Sequence, residues 1–266
     1  MIQAAIFDVD KTLLSHKNRK IPQSAVNAIE DLRKEGITII IATGRPVYAL
    51  DELKEAGIQY DYVVGCNGHC VFKDDELLDA TYFTYEQVQQ LTDYCVKNDY
   101  ILLWKYSDKN YVYNGVERMK IIHEKMQIEE PFVDCETRNH HHKILPFGAV
   151  VYAPQEEVKY YGENIDPSLV FFEWTNDCFD VSLKKVNKLT GLELLLKKLD
   201  LQLDECIAFG DGSNDYEVLQ HAGISVAMKE CHPSLLEVCD YHTDDCLDDG
   251  IAKGLLYYQL IDEIRR

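Results

Sequence analysis

Residues 37–42 read ITIIIA, an unbroken apolar run dominated by β-branched isoleucine. Such a run suits a strand buried on both faces, the habit of central parallel strands. Parallel neighbours must be joined by a crossover, usually a helix, and the chain supplies one on either side. AAIF (4–7) reads as a short buried strand. Ala25, Ile29 and Leu32 fall at helical spacing within 22–35, and Gly36 follows as a stop. Pro46 opens a second helix ending near Gly57, and YDYVVG (60–65) is a third strand. Two strand–helix–strand units in succession predict a doubly wound, mostly parallel α/β sheet. The pattern returns late: a helix over 188–201, the strand CIAFG (206–210), a helix over 215–223, the strand ISVAM (224–228) and a last helix after Gly250.

Between these stretches, residues 82–184 mix strands and helices, hold more than half of the 17 tyrosines and are poor in glycine. At 266 residues the chain accommodates one domain carrying a second. The expected division is an α/β core over 1–81 and 185–266, with an α+β domain inserted over 82–184. A net charge of −19 argues against nucleic acid and anionic membrane as partners, since both are bound by accumulated Lys and Arg. No apolar run approaches the ~20 residues that span a bilayer, and no basic stretch precedes an apolar one at the N-terminus. A cytoplasmic setting is expected. Nine scattered cysteines, an odd number, suit reduced thiols. Cys66 and Cys70 read as small apolar residues, because no second ligand pair of zinc spacing follows. His140, His141 and His142 read as a solvated loop or edge.

Ligands bind beyond the carboxyl ends of the strands of an open parallel sheet, and those ends are polar here. Asp8-Val9-Asp10-Lys11-Thr12 follows the first strand, Thr43-Gly44-Arg45 the second, and Gly210-Asp211-Gly212-Ser213-Asn214-Asp215 the CIAFG strand. Lys188 begins the helix of 188–201. Taken singly, Thr43-Gly44 makes an adequate helix cap and GDGSND an adequate turn. Lys188 fits a structural role less well, because a cation in the first turn opposes the helix dipole unless an anion lies nearby. Asp8 and Asp10 leave their strand on the same side, about 7 Å apart along the chain. Their repulsion calls for a cation between them or a proton on one.

Together these residues make a chemistry. Asp8 and Asp211, with Asp215 behind, offer oxygens to a hard cation of the Mg²⁺ type. Thr43, the Gly44 N–H, Asn214 and Lys188 offer donors and positive charge to phosphate oxygens. One of the two opening aspartates is then placed to attack phosphorus while the other stays protonated to serve the leaving group.

At these residues the sequence resembles the haloacid dehalogenase superfamily of phosphatases, in particular its Cof-type branch. The family pattern of D-x-D-x-T, a strand ending in Thr or Ser, a Lys, and G-D-x-x-N-D appears as DVDKT (8–12), IATGR (41–45), Lys188 and GDGSND (210–215). Asn67-Gly68 resembles the NG that precedes the family's cap, and DDGIAKGL (248–255) its closing helix. The resemblance implies a Rossmann-like core with an inserted α+β cap. It also implies Asp8 as nucleophile and Asp10 as general acid and base, its backbone carbonyl a metal ligand. Asp211 and Asp215 would complete the Mg²⁺ site, and Thr43 and Lys188 would hold the phosphoryl group. Two positions depart from the pattern. Lys11 stands where Gly is usual, with its side chain expected outward, and Leu189 follows Lys188 where Gly is common, which leaves Lys184 and Lys185 as rivals.

The expected activity is Mg²⁺-dependent hydrolysis of a small phosphorylated metabolite, a sugar phosphate or similar. A phosphomutase on the same fold is the alternative. A phospho-acceptor domain would be about half as long and lack the insertion, and a silent sugar-phosphate sensor would have no need of all four motifs.

Overall fold

The structure, a computed structural model, describes residues 1–74, 76–126, 128–175 and 177–266, and of Trp174 the backbone alone. It divides into two compact units, residues 1–79 with 187–266 and residues 80–186. The chain begins with β1 (Ala4–Phe7), α1 (Gln23–Lys34), β2 (Thr38–Ala42), α2 (Asp51–Glu55), β3 (Tyr62–Gly65), β4 (Cys70–Lys73) and β5 (Glu76–Ala80). The second unit follows with α3 (Tyr85–Lys97), β6 (Ile101–Lys105), β7 (Asn110–Asn114), α4 (Val116–Met126), β8 (Phe132–Asp134), β9 (Gly148–Tyr152), α5 (Gln155–Asn164), β10 (Leu169–Thr175) and β11 (Cys178–Leu183). The chain then returns to the first unit as α6 (Lys188–Leu199), β12 (Cys206–Gly210), α7 (Tyr216–His221), β13 (Ile224–Ala227), β14 (Tyr241–His242) and α8 (Gly250–Tyr257).

The first unit is built on one sheet in the order β14-β13-β12-β1-β2-β3-β4-β5. Pairing is parallel from β14 through β3, and β4 joins β3 antiparallel. All four residues of β1 and the last four of β2 are buried, as their apolar runs demand. On one side of the sheet Leu192, Leu195 and Leu196 of α6 pack with Ile6, Ile40, Val64 and Ala208. From β1 the chain winds outward to β2 and β3, and after the second unit it winds the other way through β12 and β13. The strand order therefore reverses between β1 and β12, where an open α/β sheet leaves a crevice at its carboxyl edge.

The helix expected from Pro46 to Gly57 is broken. Val47–Ala49 form a single 3₁₀ turn, Leu50 leaves helical geometry at φ −117° and ψ 23°, and only Asp51–Glu55 are α-helical. The Ala49 carbonyl accepts from the Arg45 guanidinium at 3.0 Å, and the Leu53 N–H takes the Leu50 carbonyl instead.

The second unit is a six-stranded sheet in the order β10-β11-β9-β6-β7-β8, antiparallel except where β8 joins β7. Alternation divides its faces. Leu102, Trp104, Ala149 and Val151 meet Val88 and Leu91 of α3 and Tyr161 of α5. Ile101, Leu103, Val112 and Val150 meet Met119 of α4. The histidine run, expected as a solvated loop or edge, forms a 3₁₀ turn in which His142 is exposed and His140 half-buried. His141 is buried, its Nδ1 is 3.1 Å from the Tyr113 hydroxyl, and its backbone N–H donates to that same oxygen. All nine cysteines are free thiols. Among the described residues no helix is long and apolar enough to cross a membrane.

Candidate active site

At the reversal, Phe7 and Phe209 stack with ring centroids 5.2 Å apart, and the Asp8 N–H donates to the Phe209 carbonyl at 3.1 Å. This register brings Asp8, just past β1, beside Asp211, just past β12. Asp215 folds back over the end of β12, its Oδ2 accepting from the N–H groups of Asp211 (3.1 Å) and Gly212 (2.9 Å). That return requires glycine at 210, since a Cβ there would lie 2.5 Å from the Asp215 carboxyl carbon. Lys188 is the first residue of α6, whose N-cap Asn187 accepts from the Thr190 N–H at 2.9 Å. Its ammonium donates to Asp8 Oδ1 and to Asp215 Oδ1, both at 2.6 Å. The anions that the position of Lys188 calls for are these two carboxylates.

The cluster is almost closed to solvent, with Lys188 at 1%, Asp215 at 4%, Asp8 at 6% and Asp211 at 8% exposure. One oxygen from each of Asp8, Asp211 and Asp215 lies within 4.8 Å of the others. Thr12 donates its hydroxyl to Asp211 Oδ1 at 3.3 Å. Burial, together with the charges of Asp215, Asp211 and Asp10, holds the Asp8 carboxyl well above the ordinary range, against the pull of Lys188. Burial and then the Asp215 charge push Asp211 up to about 6. Burial alone would lower Lys188, but the charges of Asp215 and Asp8 outweigh it and hold the ammonium protonated. Three carboxylates against one ammonium leave an excess of negative charge among hard oxygen donors. That is an environment fitted to a divalent metal ion.

Asp10 is treated differently from Asp8. Its Oδ2 accepts from Arg45 Nε at 2.8 Å and its Oδ1 from Arg45 Nη2 at 2.6 Å, with His16 Nε2 3.1 Å from Oδ1. Arg45 is itself held, its Nη1 donating to the Ala49 carbonyl and to Glu52 Oε2 at 3.1 Å, while Arg19 pairs with Glu52 from the other side. Burial would raise the Asp10 pKa. The hydrogen bonds from His16 and Arg45 override it and hold the carboxyl well below the usual carboxylate range. The expectation of a protonated Asp10 is therefore corrected: a bidentate guanidinium stabilises the ionised form.

Thr43 is buried at the end of β2, its Oγ1 accepting from the Arg45 N–H at 3.1 Å. Gly44 lies against the Asn67 carboxamide, and the Asn214 carboxamide donates to Asn67 Oδ1 at 3.0 Å. Lys11 has a left-handed backbone, φ 63°, which explains why glycine suits that position, and it is exposed. Lys184 and Lys185 are exposed as well. Thr12, Arg45 and Asn67 lie within the motifs named above, but the local pattern assigns them no role. The available signal for Arg45 was a cation at a strand end, facing acidic loops in a chain of net charge −19.

A sequence model of the haloacid dehalogenase-like hydrolases matches residues 5–255. The chain is 25% identical to a 5-amino-6-(5-phospho-D-ribitylamino)uracil phosphatase of Bacillus subtilis, over 94% of this chain and 91% of that protein. It is 26% identical, over 98% of its length, to a putative bifunctional phosphatase/peptidyl-prolyl cis-trans isomerase of Streptococcus pyogenes, and spans 55% of that longer protein. Among solved structures, a sugar phosphatase of haloacid dehalogenase subclass IIB is 27% identical with a TM-score of 0.81, covering 97% of this chain and 100% of its own.

Proposed function

The chain belongs to the haloacid dehalogenase-like hydrolases and is a phosphatase; from that premise we propose that it hydrolyses a small sugar-phosphate-type metabolite, with Mg²⁺, through an aspartyl-phosphate on Asp8. The observation that carries this reading is the buried cluster at the β1/β12 reversal. There one ammonium, Lys188, lies 2.6 Å from both Asp8 and Asp215 while Asp211 completes a three-carboxylate set.

In the first half of the reaction an Asp8 oxygen forms a bond to phosphorus as the bond to the substrate oxygen breaks, and Asp10, ionised at rest, relays to that oxygen a proton that arrives on the phosphate monoanion of the substrate. In the second half water attacks phosphorus as the bond to Asp8 breaks, giving its proton to Asp10, which passes it to the departing phosphate and is ionised again. Thr43, the Gly44 N–H, Asn214 and Lys188 hold the phosphoryl oxygens, and their donors are worth most where negative charge builds up. Asp8, the Asp10 carbonyl, Asp211 and Asp215 would hold a Mg²⁺ ion, which would neutralise charge on nucleophile and phosphoryl group. The unit of residues 80–186 is assigned the choice of leaving group.

The test is phosphate release from a panel of sugar phosphates, nucleotides, flavin mononucleotide, pyridoxal phosphate and 5-amino-6-(5-phospho-D-ribitylamino)uracil, with Asp8→Asn as control. Release that is fastest from sugar phosphates and absent in Asp8→Asn supports the reading. Equal release from Asp8→Asn overturns the mechanism, and a preference for nucleotides overturns the substrate class.

A further inference from the structure

Asn67 has no counterpart in the chemistry above, yet it touches the loops that carry most of it. The loop of residues 65–68 is strained: Cys66 and Asn67 both take the left-handed region, at φ 50° and φ 53°, and Gly68 follows at φ 99°. Two non-glycine residues in succession with positive φ are uncommon, and such geometry persists only where the surroundings enforce it. The surroundings are specific. The Cys66 N–H donates to the Arg45 carbonyl and the Asn67 N–H to the Thr43 carbonyl, each at 3.0 Å. The Asn67 carboxamide rests on Gly44, where a Cβ would come within 3.2 Å of both Nδ2 and Oδ1. Its Oδ1 accepts from Asn214 Nδ2 at 3.0 Å. On the far side Gly68 abuts the N-cap of α6, where a Cβ would lie 1.9 Å from the Asn187 carbonyl oxygen. The turn therefore joins the loop after β2, the loop after β12 and the helix start that bears Lys188.

We propose that Asn67 is a positioning residue for the phosphoryl site: its Oδ1 fixes the carboxamide of Asn214 while its backbone fixes Thr43 and Gly44. Binding by preset donors is costly to lose, because a donor free to rotate must be ordered again for each substrate. The bond to Asn67 engages one N–H of that carboxamide and leaves its second for a phosphoryl oxygen. This assignment rests on the reading of Thr43, Gly44 and Asn214 as phosphoryl-holding groups.

The experiment is a double-mutant cycle of Asn67→Gly and Asn214→Ala, read by the KM for p-nitrophenyl phosphate and by inhibition with inorganic phosphate. Glycine is chosen because it keeps the left-handed backbone and removes only the carboxamide. Asn67→Gly is expected to weaken both constants about tenfold, the scale of one hydrogen bond, with a smaller change in kcat. The double variant is expected to be no worse than Asn214→Ala alone, since residues that act through one another are not additive. Constants within twofold of the parent in Asn67→Gly, or losses that multiply in full, overturn the proposal. Asn67→Asp keeps the shape and the acceptor, so Asn214→Ala in that background should cost as much as in the parent, and its costing nothing there also overturns it. Failure of the underlying reading has a separate signature, because Asn214→Ala would then leave phosphate inhibition unchanged while Asp8→Asn kept turnover.

Discussion

Arg45 grips both oxygens of Asp10, Nε to Oδ2 at 2.8 Å and Nη2 to Oδ1 at 2.6 Å, so the second aspartate of the opening motif is oriented as well as ionised. The grip is backed by Glu52 and the Ala49 carbonyl, which hold the guanidinium from behind. Arg45→Met should leave KM for p-nitrophenyl phosphate nearly unchanged and lower kcat about 10- to 100-fold, the usual penalty for a misplaced catalytic group. Steady-state kinetics decide it. A raised KM with kcat intact would make Arg45 a substrate-binding residue instead.

Lys188 presents the opposite case, a cation whose loss leaves carboxylates unpaired. Replacing it with Met keeps most of the volume but strands Asp8 and Asp215, both buried. Breaking a buried pair from one side costs about 3–5 kcal/mol, so thermal unfolding should shift downward as kcat/KM collapses. Lys185→Ala, at an exposed position, should change neither. Damage from Lys185→Ala alongside a silent Lys188→Met would transfer the phosphoryl role to Lys185.

The strands that flank the site were legible because burial on both faces leaves a sequence no choice but a continuous apolar run, as in IIIA of β2 and CIAFG of β12. Their polar ends were legible for the converse reason, since acids at the end of a buried strand have few structural uses. Partnerships between distant residues were not. Nothing in the local pattern says that Arg45 reaches 35 positions back to Asp10, or that its hold on Ala49 interrupts the helix that Pro46 announces. His141 was misread because a run of three histidines looks polar, whereas Tyr113 satisfies the Nδ1 side of that ring within the fold. Of the left-handed turn only Asn67-Gly68 left a mark in the sequence, while Cys66, which shares that geometry, gave no sign of it.

The raised pKa of Asp211 makes stability depend on pH with a definite sign. Below the ordinary carboxylate value of about 4 the group is protonated whether the chain is folded or not. Between there and about 6 the folded chain keeps a proton that the unfolded chain has released. Stability from this group therefore falls as pH rises through that window. Metal-free protein should melt lower at about pH 7.5 than an Asp211→Asn variant does, and the gap should close near pH 4. Added Mg²⁺ should raise the melting temperature more at the higher pH, because it meets the ionised carboxylates. Ca²⁺ should stabilise yet support turnover poorly, its shell being larger and looser. Full activity in EDTA would remove the metal from the mechanism.

Asp8 and Asp10 are separated by one residue and should fail in different ways. Asp8→Asn should end turnover for every substrate, because the attacking oxygen is gone. Asp10→Asn keeps the shape but forfeits the charge that Arg45 holds, and its two tasks fall on different steps. Donating a proton matters little when the leaving group is a stable phenolate and greatly when it is a sugar alkoxide. Activating water against the aspartyl-phosphate matters equally for both, since the intermediate is the same. With p-nitrophenyl phosphate, Asp10→Asn should release nitrophenol in a burst approaching one equivalent and then slow as phosphoenzyme accumulates. With a sugar phosphate no burst should appear, because the first step now limits. Rapid-quench kinetics follow the burst, and mass spectrometry locates the phosphoryl group. An adduct on any residue other than Asp8 would overturn the mechanism, whereas an adduct on Asp8 without a burst would remove Asp10 from the second step alone.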